Sequence, residues 1–283
     1  MNNKKRNFET SNLKRQTSNV KPVLLISASD SSCAAGMQVD LRVVNDLGHA
    51  ARCAITAVTV QGDVGLVSIY SVDPDNVAES IAAAYSDPAD IGAVKIGLIT
   101  TPEVVRAVSQ SLIPIHRQGV PVVLDPVMRS TPGSTLASSE VIKVLVRDLL
   151  PVTTVLTPNR EELKELALIA GTEHGEEPER AEALISMGTA AVLVTGGDDG
   201  GRTCVDALYR KREPVRTFEH PRIGEGSTRG TGCALSAALA VNLGKSLALE
   251  EAVNTSINYI TDRISKAVVV GSQRLLFPGK IFV

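Results

Sequence analysis

Residues 226–240 read GSTRGTGCALSAALA, polar and glycine-rich as far as Gly232 and then small and apolar from Cys233 onward. That change of character marks a loop running into a buried helix. The start of a helix carries N–H groups without intrahelical partners and a partial positive charge, which together attract anions. Gly230 and Gly232, on either side of Thr231, remove the side-chain bulk that would keep phosphate oxygens away from those N–H groups. Glycines before a helix are also ordinary turn residues, so the segment by itself leaves both readings open. Cys233 leaves two as well. A thiol in the first helical turn feels the dipole and the N–H donors, which lower its pKa below the free value of ~8.5; equally, free cysteine is a small residue commonly buried in cores.

Other polar residues stand where strands end. LDPVM puts Asp125 at the carboxyl end of an apolar run, and TPNREE puts Asn159 and Glu162 three apart, on one face of a helix start. Carboxylates and an amide beside a polyphosphate suit Mg²⁺, held directly or through its waters. Asn159 also reads as a helix N-cap and Glu162 as a solvated surface residue. VTGGD sets Thr195, Gly196 and Gly197 after another strand, with Asp198 as a turn residue.

The elements that must position these groups alternate. PVLLISA (22–28) reads as a buried strand, followed by a loop and a helix in which Met37, Leu41, Val44 and Leu47 recur until Gly48 stops it. Strands follow at 53–60, 65–72 and 93–99, with a helix opened by Pro74 between the last two. Thr101 and Pro102 read as N-cap and first residue of the next helix. VPVVLDP, TTVLTPN and AAVLVTGG are further strands, separated by helices near 138–149, from about 160 and near 177–188. CVDALYRKREPVRTFEHPRI reads as two strands joined by a charged turn, and helices at 233–243 and 249–267 close the unit. Continuous apolar strands alternating with helices imply an α/β fold, a three-layer αβα sandwich with a mostly parallel central sheet. In such sheets ligands bind beyond the carboxyl ends of strands.

Composition excludes several function classes. Lys+Arg number 29 against 31 Asp+Glu, aromatics make up 3% and Trp is absent, which argues against a nucleic-acid surface. The four cysteines, at 33, 53, 204 and 233, show no C-x-x-C pair, hence neither zinc site nor disulfide scaffold. No apolar stretch approaches a membrane span. Residues 1–20 form a basic, weakly apolar stretch read as a mobile tail, with an organellar transit peptide as the alternative. Residues 21–283 read as one domain, and the compartment as cytoplasmic.

ISASDSSCAAGMQVDLR, ITAVTVQ, VKIGLI, LDPVM, LTPNREE, VLVTGGD and RGTGCALSAALA, in that order, resemble the hydroxymethylpyrimidine/phosphomethylpyrimidine kinases of thiamin synthesis, within the ribokinase-like superfamily. Most of that superfamily carries Asp at the fourth position of the GTGC motif, and these kinases carry Cys. The resemblance implies ATP as phosphoryl donor, Mg²⁺, a small pyrimidine alcohol as acceptor and a homodimer. It makes Cys233, Gly230, Thr231 and Gly232 catalytic. Asp40, Gln61, Ala28, Ala35 and Thr59 would bind the acceptor, Asn159, Thr195, Gly197 and Arg229 the nucleotide, and Asp125 and Glu162 the metal, with 222–229 facing the nucleotide. An aminopyrimidine needs a reader with both donor and acceptor, which Gln61 supplies, and an acceptor for its amine or hydroxymethyl end, which Asp40 supplies. As plain structure, Asp40 is one more polar helix residue and Gln61 a strand-end residue.

The sequence departs from the family at Ala28, Cys33 and Ala34, where glycines are expected, and at Arg229, where His is common. If any of the three needs a positive φ, the side chain costs about 1–2 kcal/mol. A vitamin B6 kinase and a catalytically silent pyrimidine- or nucleotide-binding protein are the competing readings.

Overall fold

The computed structural model describes residues 20–62, 65–129, 133–197, 200–223, 228–271 and 273–277. The basic N-terminal stretch up to residue 19, Asp198 and residues 224–227 of the expected nucleotide wall lie outside them. The strands are β1 (Val23–Asp30), β2 (Ala51–Gly62), β3 (Gly65–Ser71), β4 (Ala93–Ile96), β5 (Val122–Leu124), β6 (Val155–Leu156), β7 (Ala191–Val194), β8 (Thr203–Arg210) and β9 (Arg216–Pro221). They form one sheet in the order β3-β2-β1-β4-β5-β6-β7-β8-β9. The six strands from β2 to β7 run parallel, and β3, β8 and β9 add antiparallel edges.

Helices α1 (Gly36–Asp46), α7 (Thr231–Gly244) and α8 (Leu249–Ser265) cover one face of the sheet. On the other lie α2 (Pro74–Ala82), α3 (Pro102–Arg117), α4 (Ser139–Val144), α5 (Arg160–Ile169) and α6 (Glu177–Ser186). The three layers are those the alternating pattern implies. Alternation along β1 sends Leu24 and Ile26 to one core and Val23 and Leu25 to the other, because successive strand side chains point to opposite faces. Thr101 caps α3, its side chain accepting from the Val104 N–H with Pro102 in the first turn. Gly48, at φ +77°, ends the first helix where expected.

Three local readings change. The stripe of α1 that faces the core is Met37, Val39, Asp40, Val43 and Val44, while Leu41 is exposed, so the helix is turned by about one position from the apolar spacing. The strand expected at 93–99 ends at Ile96. The antiparallel pair β10 (Val268–Val270) and β11 (Gln273–Leu275) follows α8.

The chain leaves β1 toward β2 on one side, and later returns through β4 to the other side. The sheet order therefore reverses between β1 and β4, and beyond the carboxyl ends of strands at such a reversal open α/β sheets bind ligands in a crevice. α7 packs against β1, β4 and β5 there. Its residues Ala234–Asn242 are all buried, as a helix apolar on every side must be.

Candidate active site

Gly230 is the N-cap of α7 at φ +79°, a left-handed conformation, and a Cβ there would lie 2.3 Å from the carbonyl oxygen of Ala34. Only glycine lets the two loops touch. Gly232 is different: exposed, with only Asp125 Oδ2, at 3.9 Å, near the place of a Cβ. Among the described residues no side chain caps α7 and its first turn holds no acidic residue, so its opening amides remain available to an anion. Thr231 is the first residue of that turn.

Cys233 is partly buried. Its sulfur accepts from the Gly36 backbone N–H at the start of α1 and meets the carboxylate of Asp125, which also accepts from Ser236 Oγ at 3.2 Å. Burial pushes the thiol up to about 12, opposed by Lys95 and reinforced by Asp125 and Asp40. This corrects the expected lowering, because desolvation and two carboxylates outweigh the helix start. Burial raises Asp125 too, with Lys95 opposing.

Asp40 is also corrected. It does not open into the crevice: its side chain and that of Lys95 have no exposed surface, and Lys95 Nζ donates to Asp40 Oδ2 at 2.7 Å. Burial draws Lys95 down, but Asp40 first, then Cys233 and Asp125, hold it above the ordinary lysine value. Asp40 is pushed up to about 6 by burial against the pull of Lys95. Gly97 follows closely: a Cβ on it would stand 2.5 Å from Ser27 Oγ and 2.8 Å from Lys95 Nζ.

The first loop is built around Asp30, whose Oδ1 accepts from the Ser32 N–H at 2.9 Å and from Ser32 Oγ at 2.8 Å. Cys33 stands at φ +57°, the left-handed conformation for which glycine is suited. Ala35 is the partly exposed N-cap of α1 and has no side chain to cap with. Thr59 and Ala28 do not present side chains to a crevice, being 1% and 3% exposed. Thr59 instead accepts from Gln61 Nε2 at 3.0 Å, holding that side chain at the strand end. Ala28 joins Ala57, Leu98 and Leu136 in a small apolar cluster flanked by Leu66, Ile69 and Val127, separate from both main cores.

Arg229, expected at the nucleotide, meets Gln61, expected at the acceptor: its Nη2 donates to Gln61 Oε1 at 2.6 Å and lies 3.9 Å from Asp30 Oδ2. At the expected nucleotide end, Asn159 and Thr195 pair as a parallel bridge beyond β6 and β7. Asn159 and Glu162 form a reciprocal capping box: Asn159 Oδ1 accepts from the Glu162 N–H at 2.9 Å and Glu162 Oε2 from the Asn159 N–H at 3.0 Å. The Gly196 N–H donates to Asp206 at 2.8 Å, and the carbonyl of exposed Gly197 accepts from Arg222 at 2.7 Å. No group of three or more His, Cys, Asp or Glu side chains forms a metal cage among the described residues.

The sequence reading passed over Lys95, Asp30, Ser236, Leu98 and Val127. Lys95 had a legible signal, a lone cation inside the apolar run AVKIGLI. The others have none, because only the fold gathers them.

The family model described as Phosphomethylpyrimidine kinase matches residues 30–277. The chain belongs to the phosphomethylpyrimidine kinase family. A hydroxymethylpyrimidine/phosphomethylpyrimidine kinase of Rhizobium meliloti is 37% identical over 248 residues, 86% of this chain and 90% of that protein. The crystal structure of a phosphomethylpyrimidine kinase from Clostridium difficile superposes with TM-score 0.72 at 30% identity, over 86% of this chain and 99% of its own. A Bacillus subtilis pyridoxal kinase solved as an ADP complex superposes with TM-score 0.79 at 25% identity, over 90% and 96% of the two chains. The phosphomethylpyrimidine kinase match takes in the α7 loop, Lys95, Asp125 and the capping box together.

Proposed function

We propose that this chain transfers the terminal phosphoryl group of ATP to 4-amino-5-hydroxymethyl-2-methylpyrimidine and to its monophosphate, steps of thiamin biosynthesis. It is a phosphotransferase by family. The observation that carries the reading is the position of the Cys233 sulfur beside Asp125, one residue past the open Gly232 backbone, at the reversal point of the sheet.

Charge in phosphoryl transfer spreads over the moving group, so fixed donors supply much of the rate. The amides from Gly230 to Cys233 would receive that charge. The thiol, neutral at physiological pH, does not repel an incoming phosphomonoester. For a free alcohol it relays the proton: the hydroxyl proton passes to sulfur as the sulfur proton passes to the Asp125 carboxylate, leaving the oxygen free to bond to phosphorus. The monophosphate is already anionic and needs no relay. Gln61 faces the pyrimidine edge, the partly exposed Leu66, Ile69 and Val127 beside it offer apolar surface to the ring, and Asn159, Thr195 and Gly197 lie toward the nucleotide.

The donors fit a phosphate-borne Mg²⁺ better than a resident ion, since Mg²⁺ keeps several waters and takes one or two carboxylates beside substrate phosphates. Asp125 and Glu162 would hold its waters, and the ion supplies neutralisation of phosphate charge when bound. The four cysteines are all free, which suits a reducing cytoplasm. Ile55, Val58, Val60, Val67 and Tyr70 expose an apolar surface on β2 and β3, which supports a homodimer.

The likeness to the pyridoxal kinase favours a second reading, vitamin B6 phosphorylation. Assaying pyrimidine alcohol, its monophosphate and pyridoxal side by side with ATP and Mg²⁺ separates them. Product from both pyrimidines is expected; product from pyridoxal alone selects the second reading. Ligand-induced stabilisation without any product selects a silent binder.

A further inference from the structure

The contact between Arg229 and Gln61 joins residues 168 positions apart and ties the loop before α7 to the end of β2. Neither side of it is loose. The Arg229 side chain is 11% exposed, and its backbone is fixed by the next residue, Gly230, pressed against Ala34. Asp30, 3.9 Å from the guanidinium, is itself held by Ser32.

A carboxamide has two N–H donors and an oxygen with two lone pairs. In Gln61 one N–H goes to Thr59 Oγ1 and one lone pair to Arg229. Arginine offers only donors, so its presence decides which end of the amide is the oxygen. One N–H and one lone pair, on the two heads of the same amide, then remain for a ligand. Their complement is an acceptor beside a donor: an amidine edge, in which an unprotonated ring nitrogen adjoins an exocyclic amine.

We propose that Arg229 is a specificity-determining positioning residue of the acceptor end, pinning the Gln61 carboxamide so that the site selects a heteroaromatic alcohol with an amidine edge over one with a ring nitrogen alone. This rests on the pyrimidine reading above and adds to it the group that enforces the choice. It also moves Arg229 from the nucleotide to the acceptor.

The test is steady-state kinetics on the full chain and its Arg229→Ala, Arg229→Lys, Gln61→Ala and Arg229→Ala/Gln61→Ala variants, each first shown by thermal melting to be folded. Acceptors are the aminopyrimidine alcohol and pyridoxal, with ATP varied separately. Arg229→Ala should raise KM for the pyrimidine alcohol about tenfold while KM for ATP and for pyridoxal stay within about twofold, the size expected for one charge-assisted hydrogen bond. The double variant should be no worse than Gln61→Ala, and Arg229→Lys should recover part of the loss. A rise in KM for ATP alone, or additive losses in the double variant, overturns the proposal. If the parent chain phosphorylates the pyrimidine and Arg229→Ala discriminates as well as it does, this inference alone falls. If the parent chain never phosphorylates the pyrimidine, the functional reading falls and takes this one with it.

Discussion

The ammonium of Lys95 lies 2.7 Å from Oδ2 of Asp40, and neither side chain has exposed surface. The pair joins β4 to α1, near enough to Cys233 for both charges to act on its thiol. Two buried charges are tolerable together and costly apart, so Lys95→Met, which strands the carboxylate, should destabilise the fold by about 3–5 kcal/mol. Lys95→Met/Asp40→Leu should recover much of that. Urea unfolding of the three proteins checks it; equal losses in single and double variants would show that the ion pair is not what couples these elements.

Gly230→Ala puts a methyl 2.3 Å from the Ala34 carbonyl oxygen at φ +79°. The α7 loop must then move away from the first loop and its amides with it. Loss of aligned donors costs roughly 2.7–4 kcal/mol of transition-state stabilisation, so kcat should fall about 10²–10³-fold. Gly232→Ala, with nothing closer than 3.9 Å, should remain folded and report on crowding of the anion instead. Melting temperatures and single-turnover rates separate the two.

Cys33 occupies a left-handed conformation at φ +57°. Cys33→Gly relieves a strain of about 1–2 kcal/mol and adds freedom to the unfolded chain, for a net gain of about 1 kcal/mol at most. Differential scanning calorimetry should show a higher Tm for the variant. A lower Tm would mean that the cysteine side chain contributes packing that outweighs the strain.

The Cys233 thiol keeps its proton in the folded protein up to about pH 12, while an unfolded thiol loses it near ~8.5. A pKa raised by folding gives stability that is complete below the unfolded value and declines above it. At pH 10 the decline is about 2 kcal/mol, from 1.36 kcal/mol per unit. Cys233→Ala should lack this part of the alkaline loss. Denaturant curves for both proteins from pH 8 to 10 measure it; parallel curves would contradict the burial of the sulfur.

The layers, the capping of α3 by Thr101 and the stop at Gly48 were legible in the sequence because each depends on neighbours along the chain. The orientation of α1 was not: the spacing of Leu41 with Met37 and Val44 suggests one face, but the buried stripe admits Asp40, whose partner Lys95 is 55 residues away. The contact of Arg229 with Gln61 was hidden for the same reason. The arginine's position before GTGC suggests phosphate, and only the approach of β2 shows that the guanidinium meets Gln61. The direction of the Cys233 shift likewise comes first from burial and then from Asp125 and Asp40, all of them supplied by tertiary packing.

The most direct measurement replaces Cys233 with Ala and follows transfer from ATP to the pyrimidine alcohol and to its monophosphate in separate single-turnover experiments. A relay needed only by the neutral acceptor should lower the first rate at least about 10²-fold and leave the second within a few-fold of the parent chain, the range typical of general acid–base assistance. An unchanged first transfer would contradict the role given to the sulfur at the head of α7.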